Sequence, residues 1–282
     1  MAMSVSHPTP YPELNRVLQQ LVESVQVALG ENFVGAYLQG SFAVGDFDLH
    51  SDVDFIIVIE DEFSEQDVAA LQMLHQRVYT LKSAWAQHLE GSYFPRRVLQ
   101  HPPDGRLLWY LNNGSRALIQ SDHCNTLLVM RVVREQGVAL AGPAPAALVD
   151  PISVTALRRE IYATIRDWGN YILAHPDEYN NRFYQTYLVL NYCRMLHDLH
   201  NGFPGSKLAG ANWAKANLDP SWAGLIDRTW AGRPHPELSV RQPADPTDFQ
   251  ATLDFLRYTI NESTNYARAT HLEEQFPPVV GE

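Results

Sequence analysis

The 282-residue sequence contains only two cysteines, Cys124 and Cys193, and they lie far apart without the spacing of a zinc site. So few cysteines exclude a disulfide framework and fit two reduced thiols. The chain does not begin with a basic segment followed by an apolar stretch, and no apolar run approaches the roughly 18 residues of a membrane span. We therefore expect a folded cytoplasmic protein without a membrane anchor.

Basic side chains are outnumbered: 21 lysines and arginines face 32 acidic residues, which gives a net charge of −11. The excess lies mainly in residues 1–150, which have 17 acidic and 9 basic side chains. An acidic surface repels phosphate backbones, which argues against general nucleic-acid binding and favours a cationic substrate. Solubility explains the same excess equally well.

The hydrophobic pattern predicts an α+β fold of two domains. Residues 1–150 are expected to form a small mixed sheet with flanking helices, and residues 151–282 a helical bundle. Strands are predicted at 33–38, 52–60 and 90–98, and helices at 12–29 and 64–88. A stretch rich in proline and alanine, 141–151, separates them from helices predicted at 152–174, 179–201, 206–218, 220–231 and 247–270.

Two short motifs lie where the first predicted strand ends and where the second begins. Asp52 and Asp54 are two residues apart on one strand, so their side chains project from the same face about 7 Å apart. Carboxylates of this kind suit Mg²⁺, which prefers one or two of them together with the phosphates of a substrate. Gly40 and Ser41 close the preceding strand, where a bare backbone and a hydroxyl can approach a phosphate. Neither a Walker loop nor a dinucleotide fingerprint is present.

The order strand, Gly-Ser turn, Ser-Asp-x-Asp and strand resembles the polymerase-β-like nucleotidyltransferases. An Asp-x-Asp alone would more often be a solvated strand edge. The resemblance implies a third carboxylate from a later strand, and Glu90, at the start of the third predicted strand, is the candidate. Asp104 is its nearest competitor, but it lies in a Pro-Pro-Asp-Gly stretch where a turn alone explains an aspartate.

The chain as a whole resembles the aminoglycoside adenylyltransferases that modify streptomycin and spectinomycin. Beyond the Gly-Ser and Asp-x-Asp motifs and Glu90, the resemblance rests on six stretches: Val138–Pro143, Val189–Arg194, Asn201–Gly202, Ser206–Lys207, Ala211–Ala214 and Leu253–Tyr258. It implies that residues 1–150 form a nucleotidyltransferase domain. The helical domain, residues 151–282, would then close on nucleotide and substrate, with ATP bound between the two.

The resemblance also implies individual roles for residues. Ser41 and Ser51 would lie near the phosphates, Asp52 and Asp54 would hold Mg²⁺ together with Glu90, and Glu90 would act as the base. From the helical domain, Arg194, Lys207 and Tyr258 match family positions that help to hold ATP. Without the resemblance, Arg194 could equally be an intrahelical ion-pair partner, Lys207 a solvated charge and Tyr258 a core aromatic.

One departure concerns the acceptor. The family places carboxylates that grip the cationic drug just before the helix of Arg194, and here the matching positions hold Tyr184 and Tyr187. Asp177 and Glu178 lie nearby and are candidates to replace them.

From the resemblance as a whole, we expect a monomer that transfers AMP from ATP to a hydroxyl of an aminoglycoside-type antibiotic, which would confer resistance. The alternatives are an adenylyltransferase for another small molecule, a protein or an RNA end, and a non-catalytic nucleotide-binding protein.

Overall fold

The structure is a computed structural model, and it describes residues 7–49, 51–101, 105–233 and 242–272. The chain divides into two compact units, Met1–Ile152 and Ser153–Glu282. The first unit contains a sheet with helices, whereas the described part of the second is helical. This arrangement confirms the predicted α+β fold class.

The described strands of the first unit form one sheet of six. The strands are β1 Phe33–Leu38, β2 Val53–Ile59, β3 Leu89–Pro95, β4 Leu108–Leu111, β5 Leu118–Ser121 and β6 Val138–Ala141. Their order in the sheet is β5-β4-β3-β2-β1-β6. β2 and β3 are parallel and the other neighbouring strands are antiparallel, so the sheet is mixed.

Both faces of the sheet are covered, which explains why β2 is a nearly continuous apolar run. Every side chain from Phe55 to Ile59 is almost fully buried. The helices of this unit are α1 Pro12–Leu29, α2 Gly40–Val44, α3 Glu65–Tyr79 and α4 Leu127–Gln136. Phe55, Ile57 and Ile59 belong to one core with helices α1 and α3, and Ile56 and Val58 belong to a second core with α4.

Helix and strand limits in this unit partly differ from the sequence prediction. α1 and β1 have the predicted limits, because an apolar stripe ends at Gly30, whose positive φ terminates the helix. The helix predicted at 64–88 ends at Tyr79, and a 3-10 turn at Ala84–Gln87 leads into β3. The strand predicted at 90–98 ends at Pro95, which lacks the N–H that a longer ladder needs.

The second unit contains five described helices: α5 Val154–Ala174, α6 Arg182–Asn201, α7 Lys207–Asn217, α8 Ala223–Ala231 and α9 Pro246–Ala269. α6 is the most deeply buried, and it packs against α5, α7, α8 and α9. The helix predicted at 179–201 begins only at Arg182, because Asn181 caps it by accepting the Tyr184 N–H. The helix predicted at 220–231 begins with a 3-10 turn, Pro220–Trp222. Among the described helices, none is long and apolar enough to cross a membrane.

Gly210→Ala should lower the melting temperature. A methyl group at Gly210 on α7 would lie 2.5 Å from the Arg194 Cα atom on α6, and overpacking of this kind costs about 1–3 kcal/mol. Gly224→Ala, on the exposed side of α8, is the matched control, because its methyl group meets only the Arg228 side chain at 3.4 Å. Alanine there should stabilise the helix by up to about 1 kcal/mol. Thermal melts that moved in the same direction for both variants would contradict close packing of α6 on α7.

Candidate functional site

Parallel pairing of β2 with β3 brings three carboxylates to one end of both strands. Asp54 and Glu90 are register partners, and Asp52 immediately precedes β2. One carboxylate oxygen from each of the three lies within 4.8 Å of the others, and all three residues are half-buried. Asp104, the competitor of Glu90, lies outside the described residues. The donor set consists of oxygen alone, which fits Mg²⁺ rather than a thiolate- or imidazole-preferring metal.

A glycine turn adjoins the three carboxylates. After β1, the Gln39 N–H donates to the Asp54 carbonyl oxygen over 3.0 Å, and Gly40 follows with φ of +59°. A Cβ atom at Gly40 would lie 1.9 Å from Asp54 Oδ2. Both the backbone conformation and the proximity of Asp54 therefore require glycine at this position.

The two serines expected near phosphate differ in their surroundings. Ser41 lies in the first turn of α2, and its hydroxyl is buried without a hydrogen-bond partner among the described residues. A buried hydroxyl of this kind is available to a ligand oxygen. Ser51 instead closes a local turn: its hydroxyl accepts the Asp48 N–H at 2.9 Å, and its own N–H donates to the Asp48 carbonyl oxygen.

Two residues that the sequence prediction missed contact Glu90. The Tyr110 hydroxyl donates to Glu90 Oε1 over 2.5 Å, and His123 Nε2 lies 3.4 Å from the same oxygen. Burial, with the adjacent charge of Glu90, raises the pKa of Tyr110 well above its usual range, so the phenol keeps its proton. The hydrogen bond to Glu90 raises the pKa of His123 despite partial burial, and the charges of Glu90, Asp122 and Asp52 add to this effect.

In the second unit, Arg194 and Lys207 lie on the packed helices α6 and α7. Arg194 donates to Asn191 Oδ1 over 2.9 Å, while its Nε is buried without a hydrogen-bond partner among the described residues. Lys207 is the first residue of α7, and its ammonium lies 5.2 Å from the centre of the Tyr187 ring, a cation–π distance. The structure thus brings a residue predicted to contact the nucleotide next to one predicted to contact the acceptor.

Tyr258 occupies a different part of the second unit. It lies on α9, half-buried, and its hydroxyl accepts the Asp219 N–H at 3.2 Å. Its ring packs against Trp222 and Phe255. These contacts fit the alternative of a packed aromatic as well as a ligand contact.

The four candidate acceptor residues surround the start of α6. Asp177 and Glu178 are exposed on a 3-10 turn, where the Tyr171 hydroxyl donates to Glu178 Oε2 over 3.0 Å. Tyr184 and Tyr187 are half-buried in a cluster of aromatic rings. The rings in this cluster, with centroids 4.9 to 6.5 Å apart, are those of Trp168, Tyr171, Tyr179, Phe183, Tyr184, Tyr187 and Tyr192. Exposed carboxylates beside aromatic faces form a surface suited to a cation.

Two family models match the chain, one for each unit. The first describes a nucleotidyltransferase domain and matches residues 18–105, which include Gly40, Asp52, Asp54 and Glu90. The second describes the C-terminal domain of aminoglycoside adenylyltransferase and matches residues 147–242. The first match and the carboxylate geometry define the class of the protein, a nucleotidyltransferase. The chain thus has a nucleotidyltransferase domain followed by the C-terminal domain of the aminoglycoside adenylyltransferase family.

Known proteins resemble the chain over most of its length. A spectinomycin 9-adenylyltransferase from Staphylococcus aureus is 24% identical over 226 residues, which is 76% of this chain and 82% of the relative. A crystal structure of a spectinomycin adenyltransferase from Enterococcus faecialis, with ATP and spectinomycin, superposes with a TM-score of 0.64. The superposition covers 87% of this chain and 98% of the other at 15% identity, and this second likeness concerns the fold.

Because three carboxylates lie close together, Mg²⁺ should raise the melting temperature of the wild type. Gly40→Ala should abolish this increase. Alanine at Gly40 would displace the Asp54 carboxylate, and thermal melts with and without millimolar Mg²⁺ would measure the effect. Gly45→Ala is the matched control, since Gly45 has φ of +83° but nothing within 4 Å of an added Cβ. Both variants lose about 1–2 kcal/mol to backbone strain. Equal Mg²⁺ responses in the two variants would show that Gly40 does not protect the position of Asp54.

Proposed function

We propose that this protein transfers AMP from ATP to a hydroxyl group of an aminoglycoside-type antibiotic of the streptomycin and spectinomycin class, with release of pyrophosphate. The observation that supports it most is the convergence of Asp52, Asp54 and Glu90 beside the Gly40 turn, since such carboxylates suit metal-assisted phosphoryl transfer. The relatives are spectinomycin adenylyltransferases, which points to the same class of acceptor.

In the proposed reaction, the acceptor hydroxyl oxygen forms a bond to the α-phosphorus of ATP. The bond from that phosphorus to the oxygen bridging the α- and β-phosphates breaks, and pyrophosphate leaves with the electron pair. Glu90 takes the proton from the attacking hydroxyl. Asp52, Asp54 and Glu90 would hold Mg²⁺, which offsets the negative charge on the triphosphate. Gly40 and Ser41 approach the phosphates, with Ser51 in the adjoining loop.

The helical unit supplies further nucleotide contacts in this proposal. Arg194, Lys207 and Tyr258 bind ATP, and the buried Nε of Arg194, which has no hydrogen-bond partner among the described residues, supports a role toward a ligand. Lys207 is a flexible cation at the start of α7, suited to phosphate.

The acceptor would bind at the start of α6. Asp177 and Glu178 offer exposed negative charge to a cationic acceptor. Tyr184 would add an aromatic face, and Tyr187, whose ring already stacks on Phe183 and contacts Lys207, would line the site beside it. The contact between Lys207 and Tyr187 supports adjacent nucleotide and acceptor sites within this unit. The predicted monomeric state and cytoplasmic location stay predictions.

Incubation with ATP radiolabelled at the α-phosphate and a panel of aminoglycosides tests the proposal. Label on streptomycin or spectinomycin, with Mg²⁺ required, is the expected result, and expression should then raise bacterial growth on the same drug. Label on the protein, on RNA or on an unrelated small molecule would show that this molecule, and not an aminoglycoside, is the acceptor. Nucleotide binding without transfer to any of these would indicate a non-catalytic protein.

Glu90→Gln should leave ATP affinity nearly unchanged and reduce turnover by about 100-fold or more, because an amide cannot take the proton from the hydroxyl. Isothermal titration would measure ATP affinity, and transfer of label would measure kcat. Asp54→Asn is the comparison, because loss of a metal-binding carboxylate should weaken Mg²⁺-dependent ATP binding as well. Turnover within a few-fold of wild type in Glu90→Gln would exclude Glu90 as the base.

Glu178→Gln should raise KM for the cationic acceptor about two- to five-fold and leave KM for ATP unchanged, a size typical of an exposed charge pair. Glu23→Gln on α1 is the matched control, since Glu23 is also exposed and also accepts a hydrogen bond from a neutral side chain, that of Gln19. Steady-state kinetics with each substrate varied would measure both constants. Identical acceptor KM values in the two variants would show that Glu178 does not contribute to acceptor binding.

A further inference from the structure

Tyr110 lies on β4, the neighbour of β3 on the side away from β2. β4 is antiparallel to β3, and Tyr110 is opposite Ser92, which follows Glu90 by two residues on β3. Alternate residues of a strand share a face, so Glu90, Ser92 and Tyr110 project from the same side of the sheet. The phenol ring is buried, with 5% of the residue exposed, and its hydroxyl points toward the Glu90 side chain near the start of β3.

The hydrogen bond from Tyr110 to Glu90 is of the strong, charge-assisted kind. Its donor and acceptor oxygens are 2.5 Å apart, the range expected of a hydroxyl donating to a carboxylate. His123 Nε2 lies 3.4 Å from the same carboxylate oxygen, and its ring centroid is 5.4 Å from that of Tyr110. Both contacts therefore fall on Oε1 of Glu90.

Glu90 has the longest side chain of the three carboxylates. Three carboxylates within 4.8 Å repel one another, and a glutamate has one more rotatable bond than an aspartate by which to turn away. Glu90 is the second residue of β3. A rigid, buried donor on the adjacent strand restricts its side-chain torsions.

We propose that Tyr110 is a positioning residue, which holds the Glu90 carboxylate in the orientation needed to take the proton from the acceptor hydroxyl. This inference rests on the proposed function, because it assigns Tyr110 a role through the base of that reaction. Tyr110 does not contact substrate; it fixes the rotamer of the group that does.

A crystal structure of Tyr110→Phe, without metal or nucleotide, is the first test. Glu90 should occupy a different rotamer or several rotamers, whereas the rest of the sheet should remain in place. Tyr93→Phe is the matched control: Tyr93 is also a buried phenol of this sheet, but it packs into the opposite core and its hydroxyl contacts His75 Nε2 at 2.7 Å. A Glu90 carboxylate that keeps its position in Tyr110→Phe would overturn the proposal.

Kinetics distinguish positioning from a general structural role. Tyr110→Phe should lower kcat about 10- to 100-fold, the range for a lost hydrogen bond to a charged group, with KM for ATP unchanged. Tyr93→Phe should keep the wild-type kcat at temperatures where it is folded. In a Glu90→Gln background, Tyr110→Phe should have little further effect on kcat, since both changes act on one group. If kcat of the double variant were reduced by the product of the two single reductions, the proposal would be overturned.

The structural and kinetic tests separate the two claims. If the wild type transfers no AMP to any acceptor but Glu90 moves in Tyr110→Phe, the proposed function fails and Tyr110 still positions Glu90. If AMP transfer is present and Glu90 does not move, the proposed function stands and the role of Tyr110 is refuted.

Discussion

Parallel pairing of β2 with β3 is the interaction on which the candidate site depends, because its register places Asp54 beside Glu90. The arrangement is electrostatically unfavourable: two carboxylates about 4 Å apart repel by roughly 4 kcal/mol at an effective dielectric constant of 20. Full burial of the five β2 side chains from Phe55 to Ile59 contributes roughly 7 to 15 kcal/mol, enough to hold the strand in place. A divalent cation would then relieve the repulsion that the core maintains.

The same register makes the adjoining turn part of the site. Gln39 is hydrogen-bonded to the backbone of Asp54, and the next residue must be glycine because the Asp54 carboxylate occupies the space of a side chain. Tyr110, on the next strand, fixes the third carboxylate from the other side. The turn and the phenol thus each contact one of the site's carboxylates, Asp54 and Glu90 respectively.

Local patterns in the sequence were sufficient for much of the fold. The amphipathic stripe of α1, the apolar run of β1 and the alternation of helices after residue 152 were predicted and are confirmed, because each is encoded by neighbours in the chain. The contacts of Tyr110 and His123 with Glu90 could not be predicted, since they depend on strand register and on a loop after β5. The only signal for Tyr110 in the sequence was its position in a short apolar run, the four-residue strand β4. β6 was missed because it is short and only half-buried.

Anomalous scattering from Mn²⁺ in crystals grown with a non-hydrolysable ATP analogue would test the metal assignment directly, because Mn²⁺ accepts the same oxygen ligands as Mg²⁺. The three carboxylates predict an anomalous peak within coordination distance of Asp52, Asp54 and Glu90, with the triphosphate against Gly40 and Ser41. A peak elsewhere, or an analogue bound away from the β2 and β3 strand ends, would contradict the assignment of these residues as the nucleotidyltransferase site.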